Sequence, residues 1–214
     1  YSANARGIKP VKAFMSHVES LPKSARIVIV GAGVGGVEIA LSLRYRGWTE
    51  ITLVHAGDRL LSQYLPAIHA SLAKRFKTLG IKLMLGSRID RIEDHYALLS
   101  DGRQLPFEGL YWTTDARAPA WLANTGLECD EKGFLKVDSY LCALGRAFIF
   151  GAGDCISIQG MERPKAGVYA VRAAKPLLNN IRRYRAGRSL RKVHLQKNHL
   201  VLLTLGYQSA MALY

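Results

Sequence analysis

Cysteine is scarce in this chain. Cys129, Cys142 and Cys155 form no C-x-x-C pair and no even set. That counts against a disulfide framework, a zinc site and thiol–disulfide chemistry within these residues, and favours a reducing, cytosolic setting. Long apolar runs are missing too: nothing approaches the roughly 20 residues of a membrane span. The longest candidate, 200–205, is interrupted by Gly206-Tyr-Gln-Ser209 and reads as a strand and turn. There is no signal peptide and no initiator Met, and the ends at Tyr1 and Tyr214 read as cuts. Internal repeats and low-complexity tracts are absent.

Acidic residues are few: 16 Asp and Glu stand against 30 Lys and Arg, a formal charge of +14. Much of the excess lies in Arg182-Arg-Tyr-Arg-Ala-Gly-Arg188 and Arg191-Lys-Val-His-Leu-Gln-Lys197. A solvated helix end explains it, with cations placed against the C-terminal dipole. A patch for anionic lipid or nucleic acid is the alternative. No aromatic interleaving or nucleic-acid motif accompanies the charge, so nucleic acid is not expected as a partner. No evident amphipathic anchor accompanies it either, which ranks a peripheral membrane protein below a soluble one. At 214 residues and 49% hydrophobic content, the chain can form one large or two small domains.

What is present is concentrated in Arg26-Ile-Val-Ile-Val-Gly-Ala-Gly-Val-Gly-Gly-Val-Glu-Ile-Ala40. The apolar run 27–30 reads as a buried parallel strand. It enters Gly31-x-Gly33-x-x-Gly36, and a helical pattern of Val37, Ile39, Ala40, Leu41 and Leu43 follows. Strand, tight turn and helix are the context a dinucleotide needs. Gly31 permits the turn, Gly33 lets backbone approach a pyrophosphate, Gly36 lets helix and strand pack closely, and the helix start offers free N–H groups.

Gly47 ends that helix, and 51–54 is a second short strand. The residue closing such a strand faces the adenosine ribose. An Asp or Glu there accepts from the 2′-hydroxyl of NAD, whereas a nearby Arg suits the 2′-phosphate of NADP. Here the position holds His55, followed by Asp58 and Arg59. Arg59 could reach a 2′-phosphate and Asp58 a 2′-hydroxyl, or all three could be solvated loop residues; the balance leans to NAD(H).

A lead-in helix is expected over 9–21, with Pro10 in its first turn and Val11, Phe14, Met15 and Val18 on one face. A helix over 68–79 closed by Gly80 and a strand over 81–85 complete a β-α-β-α-β unit, hence a parallel sheet. A meander follows over 88–93, 95–100 and 104–107, with Asp101-Gly102 as a hairpin turn. Further strands are expected at 110–113, at 134–137 and, buried, at 147–150. The last leads into Gly151-Ala-Gly153-Asp154, and a long helix opens near Pro164-Lys165-Ala166-Gly167 and runs to about 184. Small residues admit a ligand to the backbone, Asp154 can accept from a hydroxyl-rich ligand, and the helix start can meet an anion or an electron-rich carbonyl.

In this order, Gly31-x-Gly-x-x-Gly-x-Glu38, the three-stranded excursion, Phe148-Ile-Phe-Gly-Ala-Gly-Asp154 and Pro164-Lys-Ala-Gly-Val-Tyr-Ala-Val-Arg172 resemble two-dinucleotide flavoproteins. These are the pyridine nucleotide-disulfide oxidoreductases and the related type II NADH dehydrogenases. The tracts Asp115-Ala-Arg-Ala-Pro-Ala-Trp-Leu122 and 163–172 look like the flavoprotein module often fused to selenide, water dikinase. The resemblance implies an α/β, Rossmann-like FAD/NAD(P)-binding fold with a β-meander, plus part of a second dinucleotide domain. It implies FAD and NAD(P)H as cofactors and hydride transfer from nicotinamide to flavin, then onward to an unknown acceptor, a quinone among the candidates. Gly31, Gly33, Gly35, Gly36, Glu38, His55, Arg59 and Thr114 would serve the nicotinamide nucleotide. Gly153 and Asp154 would meet the FAD ribityl chain, and Lys165 and Ala166 the flavin pyrimidine edge.

Two departures from that pattern stand out. The family carries another Gly-x-Gly-x-x-Gly for the ADP half of FAD, and these residues hold none, as if the first family segment were absent. A strand-end motif that usually reads Ala-Thr-Gly is Thr113-Thr114-Asp115 here. A carboxylate at that place could weaken nucleotide binding by crowding or repulsion, or sit in a widened loop. The expected layout is a lead-in helix over 1–21, an NAD(P)-binding domain over 22–119, the second half of a flavin domain over 120–190 and the start of a C-terminal domain over 191–214. The expected whole is a truncated FAD-dependent NAD(P)H oxidoreductase, cytoplasmic or peripheral to the inner face of the membrane. The alternative is a non-catalytic NAD(H)-binding module or redox sensor.

Overall fold

The computed structural model describes residues 4–113, 118–196 and 199–213. The chain forms two compact units, one of Tyr1–Thr114 with Leu200–Tyr214, the other of Asp115–His199.

The first unit runs β1 (Ala5–Gly7), α1 (Val11–Ser20), β2 (Ile27–Val30), α2 (Val34–Tyr45), β3 (Ile51–Val54), α3 (Pro66–Thr78), β4 (Lys82–Met84), β5 (Ile89–Ile92), β6 (Tyr96–Leu99), β7 (Gln104–Pro106) and β8 (Gly109–Trp112). Five strands make a parallel sheet in the order β1-β8-β2-β3-β4. All four residues of β2 are buried because both faces of the sheet are covered. Ile27 and Ile29 enter a core with Val37 and Leu41 of α2, Leu53, and Leu72 and Phe76 of α3. Val28 and Val30 face the other way, into a core with Ala97, Leu99, Leu105 and Phe107 of the β5-β6-β7 meander. The uninterrupted apolar run in the sequence is thus two alternating faces, each with its own cover.

Helix ends follow the local chemistry. Gly47 takes φ +101° just past α2, and Gly80 takes φ +70° just past α3. Pro66 sits in the first turn of α3, so this helix starts two residues before the expected 68. On α1, Phe14 and Val18 are buried and Met15 is partly so, while Val11 is 60% exposed, outside the face expected for it. Strand β1 was not expected. Its three residues, Ala5-Arg6-Gly7, have no pattern of their own and become a strand by pairing with Leu110–Trp112.

The hairpin β13 (Val201–Thr204) and β14 (Ala210–Leu213) groups with the first unit. Leu203, Leu205 and Leu213 are buried in the helix-side core of that unit. The Glu38 carboxylate accepts from Thr204 N–H at 2.7 Å, and Arg75 donates to Tyr45 Oη at 2.9 Å and to Ser209 Oγ at 3.2 Å.

The second unit holds β9 (Leu135–Val137), β10 (Cys142–Ala143), β11 (Arg146–Phe150), β12 (Ile156–Ile158) and α4 (Gly167–Arg185). Its sheet order is β11-β10-β9-β12, with β12 parallel to β9 and the other pairs antiparallel. Leu135, Val137, Leu141, Ile156, Ala173 and Val193 form the core. Strand β11, expected to be buried, is exposed over Arg146, Ala147 and Phe148, and Phe148 is 67% exposed. The reason is topological: β11 is the edge of its sheet.

Candidate functional site

The glycine turn between β2 and α2 divides into two kinds of glycine. Gly31 takes φ +113°, which other residues rarely adopt. Gly36 is jammed against the turn: a Cβ there would fall 1.9 Å from the Gly31 carbonyl oxygen and 2.7 Å from Thr113 Oγ1. Gly33 and Gly35 are open, since a Cβ on either would meet no described atom within 4 Å. Helix α2 starts with Gly33 in extended geometry, no side-chain cap among the described residues and no acid in its first turn. Its leading N–H groups therefore keep their donor capacity and the positive end of the helix dipole.

Two supports of this turn escaped sequence reasoning. The Thr113 hydroxyl lies 2.9 Å from the Val30 carbonyl oxygen and 3.0 Å from that of Gly31, joining the ends of neighbouring strands. The loop after β3 folds back, with Leu61 N–H donating to the Ala32 carbonyl at 2.9 Å and Leu60 N–H to His69 Nδ1 at 3.0 Å. Leu60 and Leu61 are buried. An adjacent leucine pair in a short loop was the available signal.

The loops after β3 and β4 are joined at the same end of the sheet. His55 N–H donates to Met84 O at 2.8 Å, Ser87 N–H to His55 O at 2.9 Å, and Gly86 N–H to Gly57 O at 2.8 Å. Asp58 Oδ1 lies 3.7 Å from Arg59 Nε, with the two side chains 87% and 39% exposed. Glu38, one helical turn into α2, has its carboxylate on the Thr204 N–H of the hairpin. Thr114 and Asp115 lie outside the described residues.

In the second unit, Gly153–Cys155 forms a single 3-10 turn after β11, with Gly153 at φ +80°. A Cβ on Gly153 would sit 3.5 Å from Ala170 Cβ, so this turn packs on the start of α4. Asp154 is half-buried. Ala166 is the residue before the first turn of α4, with no side-chain cap among the described residues and no acid in that turn. Lys165 is engaged within the unit: its ammonium donates to the Ile156 carbonyl and lies 3.9 Å from the Phe134 ring centroid. Burial holds its pKa below the ordinary lysine value, against the opposing pull of Asp130 and Asp154.

Residues 5–174 match the family described as pyridine nucleotide-disulphide oxidoreductase. The chain belongs to this family. Among its relatives, Fe-regulated protein 8 of Mycosarcoma maydis is 30% identical over 162 residues, covering 72% of this chain and 39% of that protein. Ferroptosis suppressor protein 1 of Xenopus tropicalis is 26% identical over 195 residues, 85% of this chain and 51% of its own. The nitric oxide reductase FlRd-NAD(+) reductase of Vibrio vulnificus is 27% identical over 167 residues, 76% and 43% respectively. The chain thus spans about half the length of the curated relatives it matches or less. Two solved structures share the fold. The covalent putidaredoxin reductase–putidaredoxin complex matches 98% of this chain and 51% of its own at TM-score 0.76 and 18% identity. The water-forming NADH oxidase from Lactobacillus brevis bound to NADH matches 84% and 42% at TM-score 0.72 and 20% identity. The expected α/β, Rossmann-like class is therefore the fold observed. No three His, Cys, Asp or Glu side chains among the described residues converge as a metal site, and no described helix is long and apolar enough to cross a membrane.

Proposed function

We propose that this chain binds a nicotinamide dinucleotide at the Gly31–Gly36 turn and is the nucleotide-handling part of an FAD-dependent NAD(P)H:acceptor oxidoreductase. The observation that carries this reading is the division among the glycines. Backbone conformation requires Gly31 and packing requires Gly36, but neither requires Gly33 or Gly35. A glycine inside a helix such as Gly35 costs roughly 0.5–1 kcal/mol relative to alanine. Side-chain-free backbone beside an uncapped helix start is explained by a pyrophosphate that must approach it. The residues then act by binding and orientation, and no side chain need move a proton in the hydride step.

The second unit fits the ribityl and pyrimidine end of FAD. Asp154 would accept from ribityl hydroxyls, Gly153 would keep the backbone low beneath them, and the uncapped N–H groups following Ala166 would face the polar ring edge. Bound FAD would supply the two-electron acceptor for hydride. The exposed edge at Phe148, beside an open cavity of about 630 Å³ lined by Cys142, Arg146, Ala147 and Tyr184 among others, supports a flavin domain that more polypeptide completes.

The acceptor in this reading is a small oxidant or redox partner, with a quinone as the candidate that places the protein on the inner face of a membrane. Supporting that placement, the stretch from 163 to 214 holds 11 Lys and Arg and no Asp or Glu. Co-sedimentation with anionic vesicles tests it, and loss of binding at high salt is expected; no binding at low salt removes the membrane from the reading. The decisive test of the main proposal is calorimetric titration with NADH, NADPH and FAD. A nicotinamide nucleotide should bind, and Gly33→Val should abolish that binding without unfolding the chain. Unchanged affinity in the variant would move the site elsewhere.

A further inference from the structure

Helix α4 has two faces. Tyr169, Ala173 and Asn180 are buried and turn into the second unit. Val171, Lys175, Leu178, Arg182 and Arg185, at intervals of four and three residues, share the opposite face, and all are exposed. We propose that this outer face and the loop after it dock the chain on an anionic lipid bilayer, which rests on the membrane placement above and names the surface responsible.

Charge is the first argument. No Asp or Glu occurs from 163 to 214. Elsewhere surface cations meet acids: Arg26 pairs with Glu108, Arg46 with Glu19 at 2.6 Å, Arg91 with Glu93 at 2.8 Å and Arg103 with Asp101 at 2.7 Å. Among the described residues Lys175, Arg182 and Arg185 make no ion pair, nor do Arg188, Arg191 and Lys192 in the loop. That loop is folded onto the helix end. Arg188 N–H donates to the Arg183 carbonyl at 2.9 Å, and the Asn180 amide holds the Arg191 carbonyl at 2.8 Å and its N–H at 2.9 Å. The helix dipole accounts for the cations of the last turn only. Lys175 lies well before that turn, and Arg191 and Lys192 lie past the helix end. Like charges crowded this way repel, and a plane of anionic headgroups relieves the repulsion.

The side chains between the charges are the second argument. Val171 and Leu178 are aliphatic, and they are 76% and 47% exposed. They suit the boundary of headgroups and acyl chains, with lysine and arginine stems laid alongside and their charges at the phosphates. Nucleic acid is disfavoured, because this face offers no aromatic ring for a base to stack on. Tyr184 lies off it, edge-on to Phe150 at 5.9 Å between ring centroids.

The test is sedimentation of the chain with vesicles of phosphatidylcholine, with and without phosphatidylserine. At low salt only the serine-containing vesicles should retain it, and high salt should release it. A triple variant, Lys175→Gln with Arg182→Gln and Arg185→Gln, should bind about fivefold more weakly for each cation removed, hence about 100-fold in all. Removing three exposed cations from the first unit instead, Lys12→Gln with Lys74→Gln and Lys77→Gln, should cost about threefold or less. All six side chains are exposed, so both variants should keep the unaltered circular dichroism spectrum. Equal weakening by the two variants overturns this surface but leaves the membrane placement standing. Failure of the unaltered chain to bind either vesicle at low salt overturns both, and capture by duplex DNA in that case reassigns the patch to nucleic acid.

Discussion

Thr113 and Gly36 meet across the glycine turn: the Thr113 hydroxyl oxygen lies 3.0 Å from the Gly31 carbonyl and would be 2.7 Å from any Cβ on Gly36. The strand end, the turn and the helix are one packed object there. Gly36→Ala should therefore destabilise the first unit by about 1–3 kcal/mol or more, as overpacking does. Gly35→Ala meets nothing, so it should leave stability unchanged or raise it by about 0.5–1 kcal/mol while weakening nucleotide binding. Thermal unfolding of the two variants, with a titration of each, separates the structural glycine from the ligand glycine.

Under α1, His17 Nδ1 lies 2.9 Å from Tyr111 Oη, and the Tyr111 ring packs edge-on against Phe14. Burial, with a smaller push from Arg6, holds the His17 pKa below its ordinary value of 6.5. The unfolded chain therefore takes up this proton more readily than the folded one. His17 contributes full stability above pH 6.5, and that contribution falls as pH drops below it toward the lower folded value. Urea unfolding should give a lower stability at pH 5.5 than at pH 7.5, and His17→Gln should flatten the difference. A wild-type profile unchanged by this substitution would assign the acid sensitivity elsewhere.

Asn180 is 1% exposed in the second unit. Its amide donates to Tyr140 O at 2.9 Å and Arg191 O at 2.8 Å and accepts from Arg191 N–H at 2.9 Å. This side chain ties the segment after α4 to its own helix. Asn180→Ala removes the side-chain partner of three backbone groups and should cost about 1–3 kcal/mol. Amide exchange should accelerate around Arg191 and Val193, the latter bonded to Ser139 O at 2.8 Å.

Phe148 sits 67% exposed on an edge strand of apolar sequence. Edges of this kind recruit other strands. Phe148→Lys should lower self-association in sedimentation or light scattering while changing stability by only about 0.5 kcal/mol or less. A large loss of stability would mean that the ring is packed rather than exposed.

Elements whose signals are local were legible from the residues alone. The 27–30 run, the glycine turn, the Gly47 and Gly80 helix ends and the Asp101-Gly102 hairpin depend on residues within a few positions of one another, so backbone preference and apolar period were enough to place them. The same local chemistry marked Gly31, Gly33 and Gly36 as a candidate site. That reading already gave Gly36 to packing; the fold added what it packs against, which besides the Gly31 carbonyl is Thr113, 77 residues away. It also decided that 5–7 is a strand, that the hairpin over 201–213 belongs to the first unit, and that 146–150 is an edge. Each of these outcomes depends on what lies beside a segment in space. An apolar residue reads the same in sequence whether another layer covers it, as at Ile29, or none does, as at Phe148.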